Sequence, residues 1–440
     1  MLSTQDNELL TCTGAGTPMG EYFRRFWQPV ALSEELPAAD CDPVRLQVMG
    51  ESLLAFRDSG GRVGVVSPRC PHRGADLFHG RNEQGGLRCV YHGWKFAVDG
   101  ACLEMPSVPA NTNYQQRVRL KSYPVREWGD FVWAFMGPVN TDAEAGVDAA
   151  LPEFEFATLP ASHRIVQKKL QQCNWAQSIE GGLDTAHFSF LHMPAPDVQL
   201  NSAGGALAQA NADQQRLAWM RNDPIPRFTV NAHEVGFVAG AARYTDGPQL
   251  YWRVSQFMLP NHSLAPNALA GETYQGQTWV PIDDHSCWIY CYAWNPERPL
   301  TTAEREKISA GHGVFAALGP GYVPLRNRTN DYLLDRHDQR TLSFTGVRGV
   351  AEQDAMIQDS QGLIADRTTE HLGPTDLAIV RFRRMILAGA RDLQDGKSPD
   401  AATTPMAYRV RGGSAVADAS LPFEDVMRQR FGDVAGRVST

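Results

Sequence analysis

The sequence predicts an α+β protein of two unlike parts, a small domain of short strands followed by a larger one that mixes strands and helices. Three observations carry this. Residues 43–138 alternate β-branched and apolar runs with Gly-rich turns. Residues 137–160 turn acidic and Ala-rich, with prolines at 138, 152 and 160, as a connector does. Beyond them, helical and strand patterns follow one another without internal repeat. A chain of 440 residues, 43% hydrophobic and 20% charged, is long enough for two or three domains.

In the first part, 44–48, 52–56 and 62–66 read as strands parted by turns at Gly50 and Ser59-Gly60-Gly61, and 128–136 reads as one strand buried on both faces. In the second, 174–192 reads as a helical stretch interrupted by Gly181-Gly182, with strands expected around 237–243, 250–258, 277–280 and 287–293. Residues 201–215, rich in Gly, Ala, Asn and Gln, read as a flexible loop. Residues 375–393 read as a long amphipathic helix with Thr375 as its cap.

Charge excludes several function classes. Lys plus Arg number 41 against 49 Asp plus Glu, a net charge of -8, which offers no general attraction to nucleic acid or an anionic membrane. The first residues carry acids and no apolar core, and no run of apolar residues is long enough to span a bilayer, so a cytoplasmic protein is expected. The eight cysteines are sparse for the length, which favours thiols or metal ligands over a disulfide framework.

The chemistry begins at Cys70-Pro71-His72-Arg73-Gly74 and Cys89-Val90-Tyr91-His92-Gly93-Trp94. Each arm offers one thiolate and one imidazole at the tip of an expected hairpin, with Gly74 or Gly93 letting the backbone close on the site. Two readings compete, a Cys2His2 zinc site and a Rieske [2Fe-2S] centre with two cysteines on one iron and two histidines on the other. Zinc fingers pair cysteines on one arm and histidines on the other. The mixed arms favour the cluster, because each loop must then send one residue to each iron.

A second constellation, Asp184-Thr185-Ala186-His187 followed by His192, lies at the end of the expected helix. On a regular helix His187 and His192 would point about 140° apart, so binding one ion needs a π-bulge, a loosened turn or a break between them.

With both motifs present, the sequence resembles the oxygenase component of Rieske non-haem iron aromatic ring-hydroxylating oxygenases, and within them the phthalate dioxygenase group. The resemblance runs from Asn7-Glu8-Leu9-Leu10 and Gly16-Thr17-Pro18-Met19-Gly20 to Ala365-Asp366-Arg367-Thr368-Thr369-Glu370-His371-Leu372-Gly373. It implies an all-β Rieske domain over 43–140. It further implies a catalytic domain of helix-grip type over 141–440, with an antiparallel sheet and helices, onto which segment 1–42 packs. It implies a mononuclear Fe(II) held by His187, His192 and a later carboxylate, for which it points to Asp354, with Glu352, Asp359 and Asp366 near enough to compete. Asp184 matches the acid that bridges a Rieske histidine of one subunit to an iron-ligating histidine of the next, and its carboxylate can accept from both imidazoles. Asn174 and Gln177 are then expected as polar groups close to the iron.

The resemblance also implies dioxygen and an aromatic acid as substrates, with dihydroxylation of the ring; single hydroxylation or O-demethylation on the same scaffold is the alternative. A Rieske electron carrier with a ligand-binding domain would lack the mononuclear ligands. An anionic substrate in an apolar pocket wants arginine; Arg243 is the foremost candidate, beside Arg221 and Arg227. No Gly-rich dinucleotide fingerprint follows a strand, so NADH must be oxidised elsewhere; the resemblance implies a separate reductase carrying flavin and an iron-sulfur cluster. The resemblance finally implies a head-to-tail homotrimer, alone or stacked into a hexamer.

Overall fold

Strand formation in the first part follows its β-branched, Gly-punctuated sequence. The computed structural model describes residues 1–109, 112, 114–139, 147, 149–195, 207–434 and 436. Strands β2 (Val44–Val48), β3 (Glu51–Arg57), β4 (Val63–Val66) and β9 (Ser122–Tyr123) make one antiparallel sheet, and β5 (Arg81–Glu83), β6 (Gly86–Arg88), β7 (Lys95–Phe96) and β8 (Cys102–Glu104) make a second. The two Cys/His arms join β4 to β5 and β6 to β7.

The strand expected over 128–136 is present over 131–135, buried throughout, while Trp128 ends the strand before it, with which it forms a hairpin. β10 (Val125–Trp128) turns at Gly129 and Asp130, both with positive φ (62° and 68°), into β11 (Phe131–Phe135). Two consecutive left-handed residues form the tight turn whose twist matches paired strands. Every residue of β11 is buried because β1 (Trp27–Leu32) covers its other edge.

The larger part is built on an antiparallel sheet in the order β12 (Arg164–Gln171), β18 (Cys287–Trp294), β17 (Tyr274–Pro281), β16 (His262–Leu264), β15 (Gln249–Met258), β14 (Gly236–Tyr244), β13 (Arg227–His233), with β19 (Gly413–Asp418) also pairing β15. The amphipathic helix Leu377–Gln394 buries Phe382, which meets Trp175 and Phe257 edge-on at 5.8 and 5.1 Å. Its start is not capped by Thr375: the N-cap is Asp376, preceded by a 3-10 turn, and the Asp376 carboxylate accepts from the Gly373 amide.

Gly181-Gly182 does not interrupt the helix Trp175–Leu183. These glycines let it approach its neighbours, since a Cβ on Gly182 would lie 2.8 Å from the Trp279 ring and one on Gly181 2.2 Å from the Gln358 amide nitrogen. The loop expected over 201–215 lies partly outside the described residues, and from Leu207 it is the helix Leu207–Asn222. Its Ala, Gln and Leu content favours helix without an apolar stripe. The first helix, Thr4–Thr11, is tied to the far end of the chain, where Arg367 donates to Asn7 at 3.0 Å and to the buried Glu180 at 3.0 Å.

Candidate metal centres and the cavity beside them

The two Cys/His arms adopt one shape. The Cys70 amide donates to the Ala75 carbonyl and the Gly74 amide returns to Cys70; the Cys89 amide donates to Trp94 and the Gly93 amide to Cys89, all at 2.8 to 2.9 Å. Gly74 and Gly93 carry φ of 71° and 76°, which closes each loop at little steric cost. Both cysteines are buried. The His72 and His92 rings meet edge-on at 4.5 Å, with His72 stacked on Trp94 at 4.3 Å. Burial pushes the Cys70 thiol up to about 11, while the His72 and Arg73 amides aimed at its sulfur pull the other way and would steady a thiolate.

These donors do not surround a single zinc. Four ligands on one tetrahedral zinc lie within about 3.8 Å of each other. Among the described residues, the one group of three His, Cys, Asp or Glu donor atoms mutually within 4.8 Å lies elsewhere. Here thiol neighbours thiol and imidazole neighbours imidazole, as a two-iron cluster requires. The His72 Nδ1 is buried with no hydrogen-bond partner, which a metal bond would satisfy.

The second centre forms where the helix Trp175–Leu183 ends. Asp184 is its C-cap, and a 3-10 turn at His187–Ser189 follows, so the break needed between the two histidines is a helix end and a tightened turn. The Nε2 atoms of His187 and His192 lie 2.9 Å apart, and Asp354 Oδ1 sits 3.5 and 3.1 Å from them. Two donors about 2.1 Å from one ion at right angles are about 3 Å apart, so the set has the size of one face of an octahedron.

The outer nitrogens explain why these atoms converge. His192 Nδ1 lies 2.6 Å from Gln353 Oε1, and Gln353 in turn donates to the Val347 carbonyl. His187 Nδ1 lies 3.4 Å from Asp184 Oδ2. Donation from both Nδ1 atoms leaves both Nε2 lone pairs facing a carboxylate oxygen, three acceptors without a proton between them. A divalent cation resolves that arrangement. Burial pushes the Asp354 carboxyl up, but the two imidazoles outweigh it and hold it below the usual carboxylate range. Burial lowers His187, yet Asp184 and Asp354 outweigh it and raise its pKa. Burial likewise raises Asp184, while the His187 imidazole and the Ala186 and His187 amides bring it below its ordinary value.

Of the acids near Asp354, none competes. Glu352 is buried 3.9 Å from Arg326, Asp359 accepts from Tyr332 and Gln171, and Asp366 caps its own turn at Thr368. Gln353, next to Asp354 in sequence, was not anticipated; only its neighbour's expected role could have drawn attention to it.

Two expected polar groups stand elsewhere. Asn174 is the N-cap of the helix Trp175–Leu183, accepting from Ala176 and donating to the Thr11 and Asp284 carbonyls, so its amide is spent at the far end of the helix from Asp184. Gln177 bonds the carbonyls of Gln358 and Gly362 and the amide of Ala365, joining two segments rather than facing the triad.

A cavity of about 1070 Å³ opens beside His192, walled by Phe188, Leu217, Met220 and Tyr251 among others. The three arginines expected there do not line it. Arg243 is fully buried against the 184–189 segment, Arg227 is exposed over Tyr244 and pairs with Asp223, and Arg221 reaches the Pro194 carbonyl. Arg216, Arg253 and Arg298 line it instead, and Arg298 is already paired with Glu304. Arg216 is already held by Glu272 and Asp213. Arg253, 3% exposed, donates to Thr185 Oγ1 at 2.7 Å and Asn267 Oδ1 at 3.0 Å and has no carboxylate partner among the described residues. Its guanidinium lies 3.8 Å over the Phe188 ring, which itself packs 4.4 Å from the His192 ring.

The chain is similar to known proteins. Residues 26–124 match the Rieske [2Fe-2S] domain family and 134–412 the LigXa C-terminal domain like family. The phthalate 4,5-dioxygenase oxygenase subunit of Pseudomonas putida is 40% identical over 90% of this chain and 88% of its own. The 3-chlorobenzoate-3,4-dioxygenase oxygenase subunit of Comamonas testosteroni is 35% identical over 98% and 99%. The 5,5'-dehydrodivanillate O-demethylase oxygenase subunit of a Sphingobium is 30% identical over 91% and 83%. Among solved structures, dicamba monooxygenase bound to dicamba shares the fold with a TM-score of 0.56 at 18% identity, over 85% of this chain and 99% of that one.

Proposed function

The chain belongs to the Rieske non-haem iron oxygenases, as an oxygenase component of the aromatic ring-hydroxylating type, and from that premise we propose that it dihydroxylates an aromatic carboxylate with electrons from a separate NADH-dependent reductase. The family carries a [2Fe-2S] cluster in its Rieske domain and a mononuclear iron in its catalytic domain. Cys70 and Cys89 hold one iron of the cluster and His72 and His92 the other; His187, His192 and Asp354 hold the mononuclear ion. When bound, the cluster supplies single electrons and the ferrous ion activates dioxygen next to the seated substrate.

The observation that carries the substrate class is Arg253. A buried guanidinium without a carboxylate is costly, and an aromatic acid supplies the missing charge through two parallel hydrogen bonds. Phe188 spans the gap between that fork and His192, so an anchored carboxylate leaves the ring over the iron side of the cavity. Leu217, Met220 and Tyr251 offer the ring apolar contact in a cavity whose other walls are largely polar.

Asp184 completes the proposal. Its carboxylate is a quarter exposed, and Phe190, Leu342 and Phe344 form exposed apolar surface in neighbouring segments. Val90 and Tyr91 leave the Rieske tip equally apolar and exposed. A head-to-tail trimer seats that tip on the neighbour's catalytic domain, with Asp184 accepting from His92 of the partner subunit.

Incubation with NADH, a surrogate reductase, 18O2 and phthalate or 3-chlorobenzoate tests the reading. A cis-dihydrodiol carrying two labelled oxygens is expected. A singly labelled phenol or released formaldehyde would establish a monooxygenase or demethylase instead, and absence of any oxygenated aromatic acid would overturn the substrate class.

A further inference from the structure

Thr185 occupies an unusual place between the two buried arginines. Arg243 and Arg253 sit on adjacent antiparallel strands, where Ala241 is the register partner of Arg253, so the two guanidiniums share one face of the sheet. Arg243 donates from Nη2 to the Thr185 carbonyl at 3.0 Å and to Ser189 Oγ at 3.2 Å. Arg253 donates from Nε to Thr185 Oγ1 at 2.7 Å. Thr185 is 2% exposed and lies between Asp184 and His187 in sequence.

Two like charges side by side repel. Neither has a carboxylate partner among the described residues, and Arg243 leaves Nε and Nη1 buried without hydrogen-bond partners. What holds them is Thr185, which both touch, with Ser189 beside Arg243 and Asn267 and Tyr251 beside Arg253. A movement of Arg253 toward an anion in the cavity therefore acts on the segment that follows Asp184, through the Thr185 hydroxyl and through the Phe188 ring beneath the guanidinium.

We propose that Thr185 is a positioning residue that ties occupancy of the anion subsite at Arg253 to the placement of Asp184 and His187. An acid bound at Arg253 neutralises the repulsion and tightens the bond to Thr185 Oγ1. The 184–192 segment is then held in one conformation, and the carboxylate and imidazole on it keep their register. Without an acid the segment samples others. The proposal rests on the reading of Arg253 as the substrate anchor.

The test is hydrogen exchange of the 184–192 amides in the oxidised holoenzyme, with and without saturating phthalate or 3-chlorobenzoate, so no turnover is involved. In the natural protein the acid slows exchange on the order of tenfold. In Thr185→Val, which keeps shape and the carbonyl bond to Arg243, the acid still binds but the protection is lost, and kcat falls while KM changes little. Thr185→Ser restores both, and Thr185→Ala repeats the valine result should valine fold poorly. Full protection with unchanged kcat in the valine or alanine variant overturns the coupling. Arg253→Met separates the two claims. If it binds the acid as tightly as the natural protein, the anchor is wrong; if it loses the acid while Thr185→Val keeps its protection, the coupling alone is wrong.

Discussion

Gln353 and Asp354, consecutive on one helix, hold the two nitrogens of one imidazole: Gln353 Oε1 lies 2.6 Å from His192 Nδ1 and Asp354 Oδ1 lies 3.1 Å from its Nε2. The ring is thereby fixed in tautomer and in tilt, with its lone pair toward His187. Gln353→Leu should keep the Rieske colour and weaken the mononuclear iron about 10- to 100-fold, the usual effect of losing such a partner. Iron content after dialysis at graded Fe(II) checks it; a variant that holds iron as the natural protein does would disprove the role.

The two centres should separate cleanly in metal analysis. We expect about three irons per chain. Cys70→Ser should abolish the visible absorption, whereas His187→Ala and Asp354→Ala should keep it and lose only the mononuclear iron. Asp359→Ala should keep all the iron but cost about 1–3 kcal/mol of stability, because Gln171 and Tyr332 lose a buried acceptor. Iron loss on changing Asp359 and not Asp354 would move the ligand along the helix.

Gly182→Val should destabilise the catalytic domain by about 1–3 kcal/mol, since the new side chain meets the Trp279 ring. Calorimetry should show a lowered Tm with the cluster absorption intact. An unchanged Tm would mean that the helix can shift away from the sheet.

Glu180 gives a pH-dependent prediction. Burial raises its pKa, but Arg367 and Arg383 outweigh burial and leave it lowered. A carboxylate depressed in the folded state contributes stability fully above its unfolded pKa, and that contribution is lost as pH falls through the folded one. Stability should therefore drop on acidification below the ordinary glutamate range, and Glu180→Gln should flatten that limb while lowering stability at pH 7 by about 3–5 kcal/mol. Denaturant midpoints measured across pH check both; an equally steep acid limb in the variant would refute the assignment.

Both histidine-bearing motifs stood out in the sequence because their donors lie a few residues apart, although the first also admitted a zinc site and the second was read through the resemblance. The carboxylate was not local, and Asp354 was reached only through the resemblance, since Glu352, Asp359 and Asp366 look alike on paper. The arginines show where sequence ends. Arg243 and Arg253 both sit in apolar strands, and which of them meets the cavity depends on how β14 and β15 are offset and on where the 184–189 segment crosses them. Asn174 was misplaced for a related reason: a polar residue before a metal-bearing helix serves either its cap or its far end, and only the fold chooses. The turn at Gly129-Asp130 was missed because Trp128 was joined to the apolar run that follows, although Gly129-Asp130 is itself a turn signal and the preceding strand, Val125–Trp128, carries Arg126 and Glu127.

The bond from Arg367 to Asn7 joins residues 360 positions apart. During synthesis the first helix is therefore made long before the residues that fasten it, and it must wait on the ribosome while both domains emerge. Contacts of such sequence separation slow folding, because the loop must close before they repay its entropy. The Cys/His arms close within a few residues, so the Rieske domain can be ready for its cluster before the catalytic domain has an end to dock.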